Sequence, residues 1–273
     1  GDEPFIDRLA RADISLFRSA SPTPDLTGYI DLAFRSGFPD VLLPGLSDNA
    51  RQRWLDGYVE QLLTRDVPGV IRAPARLRRY FEALAINSAG LPKEASLYTA
   101  AGIDYKTAKS YQDLLGAVYI LDIVPSFENR RLQRMVKMPK RYIVDPGLMS
   151  VALRLDARAA MRDGDLIGRV LDTFVMAQLR PELEISTLRP RLYHLREEHG
   201  RHEVDIVCDL ANGVVGIEVK AAAAPSLSDA GHLVHLRDRL QSKFLGGAVL
   251  HTGPQPFALS DRIFALPIAT LWG

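Results

Sequence analysis

Apolar residues recur at three- and four-residue spacing through the first half of the chain, then at two-residue spacing through much of the last third. Asp25 to Arg35 and Ser47 to Asp66 read as amphipathic helices, the second with Trp54, Leu55, Tyr58, Val59, Leu62 and Leu63 on one stripe. Ser47 is placed to cap that helix and Pro68-Gly69 to end it, while Phe38-Pro39 and Pro44-Gly45 punctuate the turn before it. From Pro74 to about Leu155 the pattern predicts three helices and a short hairpin. Leu77, Phe81, Leu84 and Ala85 stripe the first helix, and Pro92 to Ala101 forms the second. Asp104 then caps a third over Tyr105 to Leu115, after Gly102 has closed the second. Two helices joined by a short turn form a helix-turn-helix, and β-prone runs at Val118 to Val124 and Tyr142 to Val144 would add a wing.

Beyond Asp163 the rhythm changes. A helix is expected over Leu166 to Leu179, followed by strands at Arg191 to Glu197, His202 to Leu210 and Val214 to Lys220. A helix from about Ser228 to Phe244 and a strand at Gly247 to His251 complete the pattern. This order predicts an α/β domain whose helices cover a small sheet. In the second strand, alternation sets Val204, Ile206, Cys208 and Leu210 on one face and Glu203, Asp205, Val207 and Asp209 on the other. In the third, Val215, Ile217 and Val219 point inward and Glu218 and Lys220 point together to the opposite side. Ala211-Asn212-Gly213 suits a tight hairpin between these two strands.

Composition adds scale and charge. With 273 residues, 47% hydrophobic and 25% charged, the chain can bury a substantial core and is long enough for about two domains. The formal charge of +1 conceals a basic stretch, in which Arg130, Arg131, Arg134, Lys137, Lys140 and Arg141 stand with no acidic residue among them. In the winged-helix reading these residues line the wing. Lys106, Thr107, Lys109 and Ser110 of the third helix face the major groove, where cations give affinity for phosphates without sequence choice. Nucleic acid is therefore an expected partner. A protein-docking use of the same module is the alternative, since Asp104 and Asp113 dilute the charge of the reading helix. The single cysteine, Cys208, reads as a buried thiol of a reducing compartment. No apolar run approaches the ~20 residues needed to span a bilayer, so a cytoplasmic protein without a membrane partner is expected. The opening Gly1 suggests a start that is artificial or cut from something longer.

Folding the hairpin about Asn212 brings Asp205 opposite or diagonal to Glu218 and Lys220. Two carboxylates held close together repel unless a cation intervenes, and hard oxygen ligands suit Mg²⁺ or Mn²⁺. A metal so held lowers the pKa of its water and stabilises charge on a phosphate oxygen, with Lys220 orienting the water or neutralising the phosphorus centre. Phosphodiester hydrolysis is the reaction this set suits. The bland alternative is an ordinary exposed Glu–Lys pair on a polar strand face. His199 and His202 read as solvated residues at the strand entrance, with a general base or a phosphate contact as the sharper option. His232, His235 and His251 are too scattered to suggest zinc. Tyr105 and Tyr111 are expected to pack in the helical core rather than stack on bases.

The run Gly200 to Lys220, GRHEVDIVCDLANGVVGIEVK, resembles the PD-(D/E)xK nuclease-like domain that follows an AAA-type ATPase module in many prokaryotic proteins. Gly37-Phe38-Pro39, Tyr58 with Arg65-Asp66, the stretch KRYIVDPGL from Lys140 to Leu148, and the closing Leu266-Pro267 to Leu271-Trp272 match as well, so the resemblance covers nearly the whole chain. It implies a helical lid or linker over residues 1–70, a winged-helix domain over 71–160, and a nuclease-like domain with α-β-β-β-α-β order over 161–273. It implies Asp205 and Glu218 as metal ligands and Lys220 as their catalytic partner. Asp172 stands where such domains commonly have a helix glutamate, one methylene shorter, and Val204 replaces the proline before the first motif aspartate. No G-x-x-x-x-G-K-[ST] occurs, so ATP is expected only through a module absent from this sequence. A regulatory module that positions such an ATPase on DNA or a protein partner, without catalysis of its own, is the second reading.

Overall fold

The computed structural model describes residues 3–18, 22–42, 46–64, 73–127, 138–197 and 201–272. The chain is mixed α/β and divides into two units: a helical one built from Ile30–Ile123 and Lys140–Ala177, and an α/β one built from Gly1–Tyr29, Val124–Pro139 and Gln178–Gly273. Among the described residues no helix is long and apolar enough to cross a membrane.

In the helical unit, the helix Pro74–Ile86 is central, packing against the helices Asp48–Thr64, Glu94–Ala100, Tyr105–Ala117 and Pro146–Leu153. Its buried stripe includes Leu77, Phe81 and Leu84, as the periodicity requires. The turn between Glu94–Ala100 and Tyr105–Ala117 is made by Gly102, whose φ of +65° suits a residue without Cβ. Asp104 then accepts a hydrogen bond from the Thr107 N–H at 3.0 Å and starts the next helix. Asp145 caps Pro146–Leu153 through the Gly147 N–H at 2.7 Å and also accepts from the Gly37 N–H at 2.7 Å. The GFP and VDPG stretches thus meet at one buried carboxylate. Burial pushes the Asp145 pKa up, and the amide donors partly offset this.

The strands β1 (Leu121–Val124) and β2 (Lys140–Ile143) form a two-stranded sheet behind the helix-turn-helix. Here the expectation of an exposed basic wing needs correction at its second stem. Lys140 is 1% exposed and Arg141 4%, because β2 lies against Pro74–Ile86. Arg141 donates to Gln112 Oε1 at 2.6 Å and to Glu94 Oε1 at 2.5 Å. These two cations are structural. Within the α/β unit, Ser126 bridges His194 in parallel and the Phe127 N–H donates to the His194 carbonyl at 2.6 Å. Phe127 meets Tyr193 edge-on at 5.8 Å.

The α/β unit contains a six-stranded sheet: β3 (Arg191–Glu197), β4 (His202–Asp209), β5 (Val214–Val219), β6 (Phe244–His251), β7 (Phe257–Ser260) and β8 (Ile263–Pro267). Their order is β3-β4-β5-β6-β8-β7. The pairs β3/β4, β4/β5 and β7/β8 are antiparallel, whereas β5/β6 and β6/β8 are parallel. Parallel neighbours need a crossover, and the helix Gly231–Leu240 supplies the one between β5 and β6. Leu233 and Leu236 of this helix join Val204, Val207, Val214 and Val249 in one core cluster. Gly216 makes room for them, since a Cβ there would stand 2.8 Å from Leu233 Cδ2. The helix Phe5–Leu9 is tied in by Asp7, which accepts from Ser186 and Thr187, and by Arg8, which donates to the Thr270 carbonyl at 3.0 Å.

Candidate functional site

The β4/β5 hairpin pairs Asp209 with Val214, Cys208 with Val215, Val207 with Gly216 and Ile206 with Ile217. Continuing that register puts Asp205 opposite Glu218. The Val219 N–H donates to Asp205 Oδ2 at 3.1 Å, so the aspartate carboxylate sits on the backbone between Glu218 and Lys220. Lys220 Nζ lies 3.2 Å from Glu218 Oε2. The side chain of Glu218 is 3% exposed and that of Lys220 is 32%, so the pair is not an ordinary exposed one. Every residue of β5 is buried, because the sheet is covered on the Glu218 face as well.

One irregularity places Asp205. Tyr193 of β3 faces Val207 and Leu195 faces Val204, so two steps along β3 match three along β4. The extra residue is a β-bulge at Asp205-Ile206, opposite His194. It overturns strict alternation in β4: Val204 and Val207 both enter the core cluster with Leu233 and Leu236. Bulges re-aim side chains, and here the re-aimed side chain is the candidate ligand.

Three histidines surround this hairpin. His202 stacks on His235 with ring centroids 3.6 Å apart and planes 1° from parallel, and His232 meets His202 edge-on at 6.1 Å. His235 Nε2 is 3.4 Å from Glu197 Oε2, and Arg239 pairs with the same carboxylate. Burial lowers the His232 pKa, the charges of Lys220 and His202 push it further down, and Asp205 and Glu203 pull it up. His232 is therefore electrostatically coupled to the hairpin's charged groups. His232 and His235 stand three apart on one helix, a spacing visible in the sequence, but their approach to His202 depends on the crossover. Hydrogen bonds from Ser226 lower the Asp229 pKa, with a further contribution from Lys220.

The other expected residues fall elsewhere. Asp172 is half-buried in the helix Gly164–Ile185, in the part that belongs to the helical unit. Lys106 and Lys109 are exposed on Tyr105–Ala117, with Lys109 paired to Asp113. Tyr105 is 58% exposed, against expectation, because it occupies the first turn of that helix. Tyr111 packs in the core as expected. Arg130, Arg131, Arg134 and Lys137, like His199, lie outside the described residues. Cys208 is buried, and burial pushes its thiol up to about 12. Among the described residues no group of three or more His, Cys, Asp or Glu side chains is placed to hold a metal.

Two family models match this architecture. Residues 167–271, which include the whole sheet, match a domain of unknown function, DUF4143. Residues 26–159 match a second one, DUF8612, so the model boundaries separate the first helices and the helix-turn-helix from the sheet. The chain is also similar to an uncharacterized protein of Mycobacterium tuberculosis, Rv2008c, and to one of Mycobacterium bovis, Mb2031c. Each is 30% identical over 241 residues, covering 86% of this chain and 52% of the relative. The chain thus spans about half the length of the curated relatives it matches.

Proposed function

We propose that the chain binds nucleic acid through a winged-helix-like module centred on Tyr105–Ala117. We further propose that its sheet is a PD-(D/E)xK-nuclease-like domain with a divalent-metal phosphodiesterase site at Asp205, Glu218 and Lys220. The observation that carries this reading is the register of β4 on β5, which seats the Asp205 carboxylate on the Val219 N–H while Lys220 contacts Glu218. Two carboxylates from adjacent strands are hard oxygen donors of the kind Mg²⁺ and Mn²⁺ prefer, with water or phosphate oxygens completing the shell. A bound ion would supply Lewis-acid stabilisation of a phosphate oxygen and an acidified water. Asp205 and Glu218 would hold the ion, and the Val219 N–H would fix the orientation of Asp205. Lys220, partly exposed beside Glu218, would neutralise charge that develops on phosphorus-bound oxygens. Asp172 enters only through the resemblance. DUF4143 is commonly linked to AAA-ATPase-associated proteins, which supports a role as the C-terminal part of an ATPase-related protein with ATP bound by another module.

A second reading is a non-catalytic binding or regulatory module, and the depth of Glu218 favours it. A carboxylate that is 3% exposed and already met by an ammonium must be uncovered before it can ligate an ion. Incubation with single- and double-stranded DNA, with and without Mg²⁺ and beside Glu218→Ala, separates the two. Mg²⁺-dependent cleavage lost in the variant supports the hydrolytic reading, and DNA binding without cleavage supports the second.

A further inference from the structure

The histidines around the hairpin are not used by the proposed hydrolytic site, and their arrangement limits what they can do. His202 and His235 stack 3.6 Å apart and 1° from parallel, so one ion cannot lie in the plane of both rings. That geometry does not chelate an ion, but each ring keeps an N–H donor. His232 adds a third ring 6.1 Å from His202 and is coupled electrostatically to Lys220 and Asp205. All three histidines are half-buried. The charges facing them are Glu197 from β3, Glu203 and Asp205 from β4, Glu218 and Lys220 at the end of β5, Asp229 before the helix and Arg239 on it. Glu197 is taken by His235 and Arg239, Glu203 is 3.9 Å from Arg196, and Glu218 is taken by Lys220. Several of the local carboxylates thus have partners within the protein, and His232 lies within electrostatic reach of Lys220, whose ammonium is itself paired with Glu218 and 32% exposed.

We propose that His202, His232 and His235 form, with Lys220, a contact surface for the phosphodiester backbone of nucleic acid beside Asp205 and Glu218. An imidazole N–H and an ammonium can each donate to phosphate oxygens, which only accept. This inference rests on the nucleic-acid reading and deepens it. It gives the α/β unit a backbone-binding surface distinct from Lys106 and Lys109.

The test uses the full chain carrying Lys106→Ala and Lys109→Ala, so that binding by the reading helix does not mask the effect. Fluorescence anisotropy with labelled single-stranded and duplex oligonucleotides in EDTA compares this chain with one that also carries His202→Asn, His232→Asn and His235→Asn. Loss of at least about tenfold in affinity for either oligonucleotide is expected. A separate His232→Lys chain should tighten binding, because it keeps a donor and adds a charge. Affinities equal within about twofold in all three chains would overturn the proposal. If the triple variant does not fold, His232→Lys decides alone: tighter binding supports the contact and unchanged binding refutes it. Histidine-dependent binding without Mg²⁺-dependent cleavage leaves this surface standing and removes only the hydrolytic reading. Cleavage with histidine-independent binding does the reverse.

Discussion

β2 and β5 both carry charged side chains into buried surroundings, and they accommodate them by different means. In β2, Arg141 is held by Gln112 and Glu94, which stand 29 and 47 residues away in the chain. In β5, Glu218 is met by Lys220, two positions on and just past the end of the strand. A long-range clamp fixes elements to one another and has no reason to open. A local pair at a strand end, with its lysine 32% exposed, can exchange its ammonium for another cation once Glu218 is uncovered. The first arrangement is architecture, and the second is suited to ligand exchange.

This contrast makes predictions of decreasing size. Arg141→Ala leaves Gln112 and part of Glu94 without a donor inside the helical unit, so urea denaturation should show a loss of about 3 kcal/mol. Glu218→Gln keeps the shape and removes a buried charge, so the same measurement should change by less than about 1 kcal/mol. Mg²⁺-dependent cleavage should nevertheless fall at least about 100-fold. If Arg141→Ala proves mild and Glu218→Gln strongly destabilising, the distinction between clamp and exchangeable pair is lost.

A third prediction concerns a buried group that makes no ion pair. Cys208 has its thiol pushed up to about 12 by burial, against about 8.5 in an unfolded chain. The folded state therefore favours the protonated thiol. Its contribution to stability is full below about pH 8.5 and is lost as the pH rises toward 12. Thiol titration of the native protein at mildly alkaline pH should show negligible labelling until denaturant is added. Rapid native labelling would show that the sheet opens around β4.

The smallest effect is expected at the exposed cations. Lys106→Ala with Lys109→Ala should reduce the slope of log affinity for DNA against log salt by at most about 2, with no change in stability. Because Lys109 already pairs with Asp113, a slope change nearer 1 would fit its partial engagement. A slope that does not move would remove Tyr105–Ala117 as a phosphate-contacting helix.

How much of this was legible in the sequence follows from the range of the interactions. Caps and turns were readable because their partners are adjacent: Asp104 with Thr107, Gly102 at positive φ, and the Leu210–Gly213 turn that sets the β4/β5 register. Asp205, Glu218 and Lys220 could be placed together for the same reason. The environment of Lys140 and Arg141 could not, since a basic run is compatible with exposure unless the distant Glu94 and Gln112 are known. The bulge at Asp205-Ile206 was invisible because it is defined by β3, not by the hairpin itself. β7 and β8 escaped because Phe257–Ser260 is only four residues long, and Ile263–Pro267 is an apolar run buried on both faces, without alternation. The meeting of His202 with His232 and His235 needed the crossover between β5 and β6.

The central claim is that Asp205 and Glu218, brought together by β4 and β5, form an exchangeable divalent-cation site. Calorimetric titration of the chain with Mn²⁺ tests it most directly, beside Asp205→Asn and Glu218→Gln. The account predicts one ion bound by the parent chain and a loss of at least about tenfold in affinity in each variant. Equal Mn²⁺ binding in all three, or none in the parent chain, would contradict it.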